Sequence, residues 1–473
     1  MRSLSQGRFK GQTLLVAMEG RGERSELILD RSGEPPLVFE DVFDGQRHDV
    51  LFLASETTKP EMLGPSSNGR VRIIDSRLGR DGQHEILRSL ERANAHLITQ
   101  ANWEEVQAQE RDHTEWCRGY PAELQLELTK ACNYQCPHCM SHGKPDVHSA
   151  FNQSPVLSDF LLDRMAEEVF PFLRRISLVG SGEPFMAPKP LMQRLLHHMD
   201  QTDTRLEVST NGTLLSEELS QAIAPLLNHI SFSVDAATAE TYKKARASEA
   251  FHDLIEIIQR FQRLRDDAPL SQPFAISLVF TLMRKNASEL LDFLKICKDL
   301  QADAVYVRHL LVHFPEMEEE TLIDKPSESN PILKEAAELA DRLGLAVFLP
   351  DLIQEKKTPP KKTTVSGAPR RVNCCFLWRA VCINTEGMVM PCGGLHPIVL
   401  GKLDERPFKD IWNGKLIREM RRRLDTADPH PMCAHCWYRQ IAYFDSPTVT
   451  ETFLQTKVRT PKEKPYDASA FFS

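Results

Sequence analysis

The chain has 473 residues and eleven cysteines, and the cysteines are clustered. Three fall on one short stretch, TKACNYQCPHCM, spaced Cys132-x3-Cys136-x2-Cys139. Thiolates are soft ligands that select zinc or iron–sulfur centres. Structural zinc sites usually close with four ligands, commonly as two spaced pairs. The one further donor nearby is His138, between two of the cysteines, where the loop would have to fold awkwardly to use it. Three thiolates on one loop leave one iron of a [4Fe–4S] cube open. An open iron can bind a reactant, which is a catalytic arrangement rather than a storage one.

A second cluster lies near the C-terminus, comprising Cys374, Cys375, Cys382, Cys392, and Cys433-x2-Cys436. The closing Cys-x-x-Cys with Cys392 and one upstream cysteine makes four thiolates. The spacing suits an auxiliary iron–sulfur cluster and equally a structural zinc site. Cys297, in the apolar run Phe293–Cys297, reads as a small buried hydrophobe. Cys117 has no evident partner and reads as inert. Cys382 and the unused member of the 374/375 pair are the plausible reactive thiols. A thiol near a substrate could donate a hydrogen atom to a radical, which makes Cys382 a candidate catalytic residue. An odd cysteine count in a long chain with no secretion signal excludes a disulfide framework.

Composition narrows the class. Apolar residues make up 41% and charged residues 26%, the balance of an ordinary globular protein rather than a fibrous or disordered one. The 58 basic residues stand against 66 acidic ones, a net −8, so a nucleic-acid partner is not expected. The N-terminal apolar run Thr13–Met18 falls far short of the ~20 residues a spanning helix needs. No membrane association is expected, and the cytoplasm is the expected location.

Elements must position these thiols. From about residue 121, β-rich runs alternate with amphipathic stretches such as Asp159–Leu173 and Ser216–Leu227. The runs are Leu124–Leu128, Ile176–Val179, Leu206–Ser209, Ile230–Val234, Ile276–Phe280 and Ala304–Val307. Such alternation signals βα units on a parallel sheet. Six units are too few for a closed eight-stranded barrel. The expected fold class is therefore α/β, a partial (β/α)6 TIM-like barrel with active groups at the strands' C-terminal ends. It is joined by an N-terminal α+β module and a small C-terminal cysteine-rich domain.

The expected divisions are 1–120, 121–350, a basic linker 351–371, 372–440, and a tail 441–473. The first has short β-like runs at Leu14–Met18, Asp49–Leu53 and Arg70–Ile74 and a helical stretch Glu85–Glu110, with no chemical motif. The linker segment EKKTPPKKTTVSGAPRR carries six Lys or Arg and three Pro, reading as a solvated connection or a flap attracting an anion. In the cysteine-rich region, Glu386-Gly387 between β-rich flanks reads as a hairpin.

The Cys132-x3-Cys136-x2-Cys139 loop resembles the signature of radical S-adenosylmethionine (SAM) enzymes, and further landmarks follow in order. Gly182-Glu183-Pro184 at the second strand's end is similar to the family's Gly-Glu-Pro turn. The resemblance implies that Gly182 lets the backbone approach the cofactor and that Glu183 accepts the SAM ammonium. Ser209-Thr210-Asn211-Gly212 and Ser233-Val234-Asp235 resemble the next two turns, where Ser209, Asn211, Ser233 and Asp235 would suit ribose hydroxyls. Tyr242–Arg246 looks like the segment whose arginine, here Arg246, pairs with the SAM carboxylate. His138 stands where the family often has an aromatic residue beside the adenine. The distal region, with Gly-x-Val-x-Pro-Cys at Gly387–Cys392 and Ile411-Trp412-Asn413, resembles SPASM and twitch auxiliary-cluster domains.

The resemblance implies a SAM-binding [4Fe–4S] cluster on Cys132, Cys136 and Cys139. It implies one auxiliary [4Fe–4S] cluster on Cys374 or Cys375 with Cys392, Cys433 and Cys436. It further implies reductive SAM cleavage to a 5′-deoxyadenosyl radical that takes hydrogen from a substrate, with an electron donor such as ferredoxin or flavodoxin. A peptide or protein side chain is the favoured substrate. The alternatives are a radical dehydrogenase, epimerase or dehydratase of a sugar or aminocyclitol, and, remotely, a non-enzymatic redox protein.

Overall fold

The computed structural model describes residues 26–31, 34–40, 50–54, 71–75, 80–267, 274–353, 374–392, 398–426, 428–430 and 433. The expected strand at Leu14–Met18, the basic segment and the tail lie outside the described residues, as does Cys436; Cys375 is described in its backbone alone.

The chain divides into two units, residues 1–91 and 92–473. In the first, β1 (Glu26–Arg31) and β2 (Glu34–Glu40) form an antiparallel hairpin. β3 (Val50–Ala54) and β4 (Val71–Asp75) pair in parallel. These last two fall on the runs expected at 49–53 and 70–74. Helix α1 (Arg80–Asp112) covers the predicted helical stretch. The second unit takes in residues 92–120, which the sequence reading assigned to the N-terminal module.

The second unit is built on six parallel strands in chain order. They are β5 (Glu123–Leu126), β6 (Arg175–Leu178), β7 (Arg205–Thr210), β8 (Leu227–Ser233), β9 (Ala275–Leu282) and β10 (Ala304–His309). All six coincide with the predicted runs. β11 (Val347–Phe348) adds to the β10 edge, and the sheet does not close. The helices between the strands are α2 (Pro145–Asn152), α3 (Asp159–Glu168), α4 (Lys189–Asp200), α5 (Glu217–Ile223), α6 (Ala239–Arg246), α7 (Phe251–Asp266), α8 (Leu290–Asp299) and α9 (Pro326–Leu343). Ser158, Ser216 and Thr238 cap α3, α5 and α6 by accepting a backbone N–H with their hydroxyls.

Side chains alternate along a strand. Leu124, Leu126, Ile176, Leu178, Leu206, Val208 and Ile230 are buried outward among the helices. The opposite face is polar. Ser177 Oγ donates to Glu207 (2.8 Å), His229 Nε2 meets Ser277 Oγ (2.8 Å), and Ser277 Oγ donates to Ser231 (3.0 Å). This face is the barrel lumen. Cys297 lies in the apolar layer with no exposed surface, as a small hydrophobe should.

The strands of the cysteine-rich domain extend the barrel sheet. β12 (Ala380–Ile383) pairs in parallel with β5, and β13 (Met388–Met390) and β14 (Gly401–Lys402) continue the same sheet antiparallel. The predicted hairpin turns at Gly387, with a φ of 72°. Helices α10 (Phe408–Trp412) and α11 (Lys415–Arg423) follow. Trp378 Nε1 donates to Thr114 O (2.8 Å) and Trp412 Nε1 to Gly119 O (3.1 Å). Buried Arg421 donates to the carbonyls of Leu377 (2.8 Å), Trp412 (3.1 Å) and Glu115 (3.2 Å). Arg421→Ala leaves these carbonyls without that donor, at about 1–3 kcal/mol for each one not re-paired. The variant is expected to unfold at a clearly lower denaturant concentration, whereas Arg422→Ala, on the exposed face, is expected to leave the midpoint in place.

Candidate active site

β5 runs into the first cysteine loop. Cys139 N–H donates to Cys136 O (2.9 Å), and Gly143 N–H to Cys139 O (2.8 Å), winding the loop tightly. Tyr134 N–H points at Cys132 Sγ (3.4 Å), and Cys132 N–H donates to Asn152 Oδ1 on α2 (2.9 Å). All three thiols are free of disulfides. Burial pushes Cys132 up to about 11 and Cys136 up to about 12. Such thiols ionise only if positive charge is supplied, which a bound metal cluster does.

The strand-end residues close around this loop. Glu183 is buried, and burial raises its pKa against hydrogen bonds from Thr210 Oγ1 (2.6 Å) and the backbone N–H groups of Asn211 (2.8 Å) and Phe185 (3.5 Å). Pro184 begins the one-turn helix Pro184–Met186 and is buried. Asn211 Nδ2 donates to Asn133 Oδ1 in the cysteine loop (2.8 Å). Asp235 sits at φ 62°, a left-handed conformation that Asp tolerates better than most residues. Its Oδ1 accepts from Thr281 N–H (2.6 Å), and its Oδ2 from Arg246 (2.9 Å). His138 places Nδ1 on Ala245 O (3.1 Å) and Nε2 at 3.6 Å from Asp235; burial lowers its pKa, with Asp235 opposing. Cys136 Sγ lies 3.5 Å from the carbonyl of Arg246. Ser209 is exposed at the mouth and Ser233 is half-buried beside it.

The residues quoted for the SAM turns thus come together, and two of them already make close contacts within the protein. Asp235 spends both carboxylate oxygens on the protein, holding β9 and Arg246. Gly182 lies against the cysteine loop: a Cβ there would come within 2.3 Å of Ala131 O and 2.7 Å of Thr129 O. The glycine is required for packing turn against loop, and that packing is visible without any ligand.

Several supporting residues carry no sequence signal of their own. Asn133 links loop to turn, and the Tyr134 and Tyr242 hydroxyls meet at 3.2 Å. Asn286 donates to the carbonyls of Asp235 and Thr281, both at 2.9 Å. Glu289 accepts from the backbone of Ala237 (2.7 Å) and Thr238 (3.1 Å), anchoring the start of α6. These are ordinary residue types.

In the second cluster Cys374, Cys392 and Cys433 are half-buried and free of disulfides. Cys382 faces the lumen from β12, donating its S–H to Gln125 Oε1 (2.9 Å), and burial raises its pKa far above the ordinary thiol range. Lys130, just before Cys132, pairs with Glu386 of the hairpin, so the two cysteine regions are tied together.

The donor set fits an iron–sulfur cluster with SAM. Three free thiols share one loop, and beside them the buried Arg246 Nε has no hydrogen-bond partner among the described residues. Residues 126–296 match the radical SAM superfamily, and residues 374–437 match the SPASM iron–sulfur cluster-binding domain. The chain is a radical SAM enzyme. A curated relative, the AdoMet-dependent heme synthase of Methanosarcina barkeri, is 24% identical over 345 residues, covering 68% of this chain and 90% of that protein. Mycofactocin maturase MftC of Mycobacterium tuberculosis is 26% identical over 315 residues, covering 64% and 73%. Among solved structures, Streptococcus suis SuiB bound to S-adenosylmethionine aligns with a TM-score of 0.48 at 12% identity, covering 79% and 82%. The cofactors of this radical SAM enzyme are a SAM-binding [4Fe–4S] cluster and an auxiliary iron–sulfur cluster. Among the described residues, no helix is long and apolar enough to cross a membrane.

Proposed function

We propose that this radical SAM enzyme oxidatively modifies a peptide or protein side chain. When bound, the cluster and SAM supply the radical that takes a hydrogen atom from the substrate. Cys132, Cys136 and Cys139 would hold that cluster; Cys392, Cys433, Cys436 and one of Cys374 and Cys375 would hold the auxiliary one. Glu183 would turn toward the SAM ammonium, and the Nε of Arg246 toward its carboxylate. Ser209 and Ser233 are open to ribose hydroxyls, with Asn211 beside them. His138 would lie by the adenine.

The observation that carries this reading is the convergence of the three-thiol loop with the ends of β6, β7 and β8 on one mouth. The peptide class is supported by MftC, named as a maturase. The cysteine-rich hairpin on the barrel edge supports an auxiliary cluster near the same lumen.

The test is anaerobic. Reconstituted, dithionite-reduced protein with SAM is expected to release 5′-deoxyadenosine, and the Cys132→Ala, Cys136→Ala, Cys139→Ala variant none. The wild type should carry about eight iron atoms per chain and the variant about four. No 5′-deoxyadenosine from fully loaded wild type would refute the reading. A short precursor peptide encoded beside this gene would favour the peptide class over the sugar class.

A further inference from the structure

The lumen carries a cation that neither the cofactor site nor an acidic side chain among the described residues uses. Arg175 pairs with Glu123 and Glu207, Arg246 with Asp235, and Lys130 with Glu386. Arg308, near the end of β10, is in no ion pair among the described residues, and its side chain is exposed.

Its position is fixed by its neighbours. The guanidinium lies 6.0 Å from the centroid of the Tyr306 ring, and that ring lies 6.5 Å from the ring of His229. His229 belongs to the lumen chain through Ser277, so Arg308 faces the lumen. Its height is set by the ladder: Arg308 stands opposite Thr281, whose N–H binds Asp235. Arg308 therefore sits level with the proposed SAM site, across the open mouth. Tyr306 stacks on Phe348 (4.6 Å between ring centroids) and forms an aromatic wall beneath it. Exposed Val179 at the end of β6 adds an apolar patch.

We propose that Arg308 receives a carboxylate of the substrate, so that this chamber takes an acidic molecule, or a peptide at an acidic side chain or C-terminal carboxylate. The inference rests on the reading of the lumen mouth as the substrate chamber. A planar guanidinium forms paired hydrogen bonds with the two oxygens of a carboxylate. A single cation balances one carboxylate charge, and the aromatic wall suits a carbon skeleton attached to it.

The test uses the anaerobic holoenzyme with SAM bound and two probes of equal shape, 3-phenylpropionate and 3-phenylpropionamide, with affinity read by calorimetry or ligand-observed NMR. Wild type is expected to bind the acid at least about tenfold more tightly than the amide. Arg308→Gln should erase that preference, Arg308→Lys should retain part of it, and both should keep the wild-type SAM affinity. Equal binding of acid and amide by wild type, or a preference surviving in Arg308→Gln, overturns the proposal. So does weakened SAM binding in Arg308→Gln, which would assign the guanidinium to the cofactor. These are binding measurements, so a wild type that binds the acid selectively yet releases no 5′-deoxyadenosine would fail the proposed activity and not this site.

Discussion

Asp235→Ala is expected to destabilise the barrel unit by about 3–5 kcal/mol, because it leaves the buried Arg246 guanidinium without its counter-charge. Two further costs act in the same direction. The Thr281 N–H loses its acceptor, and alanine is less easily held at φ 62° than aspartate. Asp235→Asn separates these effects. It keeps an oxygen for Thr281 and tolerates the left-handed backbone, so it loses chiefly the charge on Arg246. The denaturant midpoints should fall in the order wild type, Asn, Ala. Arg246→Met in the Asp235→Ala background should recover part of the loss, since no uncompensated charge remains. If Asp235→Ala unfolds at the wild-type midpoint, the pair is not the buried tie described above. SAM affinity provides the second readout: with Asp235 gone, Arg246 is no longer held against the cysteine loop.

What was legible in the sequence is what lies in consecutive residues. The cysteine loop, the Gly-Glu-Pro turn and the Ser-Val-Asp turn each fit within a few positions, and each follows a β-rich run whose outward face is apolar. The six strands were readable because Leu124, Ile176, Leu206, Ile230, Ile276 and Val305 alternate with polar lumen residues. The ties between turns were not readable. Glu183 to Thr210, Asn133 to Asn211, and Tyr134 to Tyr242 join residues far apart in the chain whose types are common in any loop. The β1–β2 hairpin was missed because Glu34-Pro35-Pro36 looks like a turn, and proline argues against a strand unless it lies at an edge. The continuity of the cysteine-rich domain with the barrel sheet was not readable, because its pairing partner, β5, lies some 250 residues upstream. Hydrophobic pattern identifies strands, and only the folded sheet shows which neighbour a distant strand chooses.

Gly182 is where the sequence resemblance and the packing give different reasons for the same residue, and a single methyl group tests the packing. Gly182→Ala places Cβ within 2.3 Å of Ala131 O, 2.6 Å of the Lys130 carbonyl carbon and 2.7 Å of Thr129 O. All three contacts are backbone, so no rotamer change can relieve them. The cysteine loop or the Glu183 turn must move, and the Glu183 N–H to Ala131 O bond (2.8 Å) that joins them is strained or lost. Cys132 is the next residue in the loop. Displacement by about 1 Å at a reacting centre costs on the order of 10²-fold in rate. The expected result is a loss of that size in 5′-deoxyadenosine release, with lower iron occupancy of the first cluster and unchanged iron at the auxiliary one. Gly180→Ala is the control. Its nearest neighbours are atoms of one side chain, Glu127 Cγ and Oε1 at 2.7 Å and Cβ at 3.0 Å, and rotation of that side chain relieves the first two without moving the cysteine loop. It should cost the Glu127 hydrogen bond from Ser181 N–H (2.7 Å) and little activity. A loss of activity in Gly182→Ala with full iron occupancy of the first cluster would show that the loop tolerates the methyl group at 182, and that the glycine serves the approach of the cofactor instead.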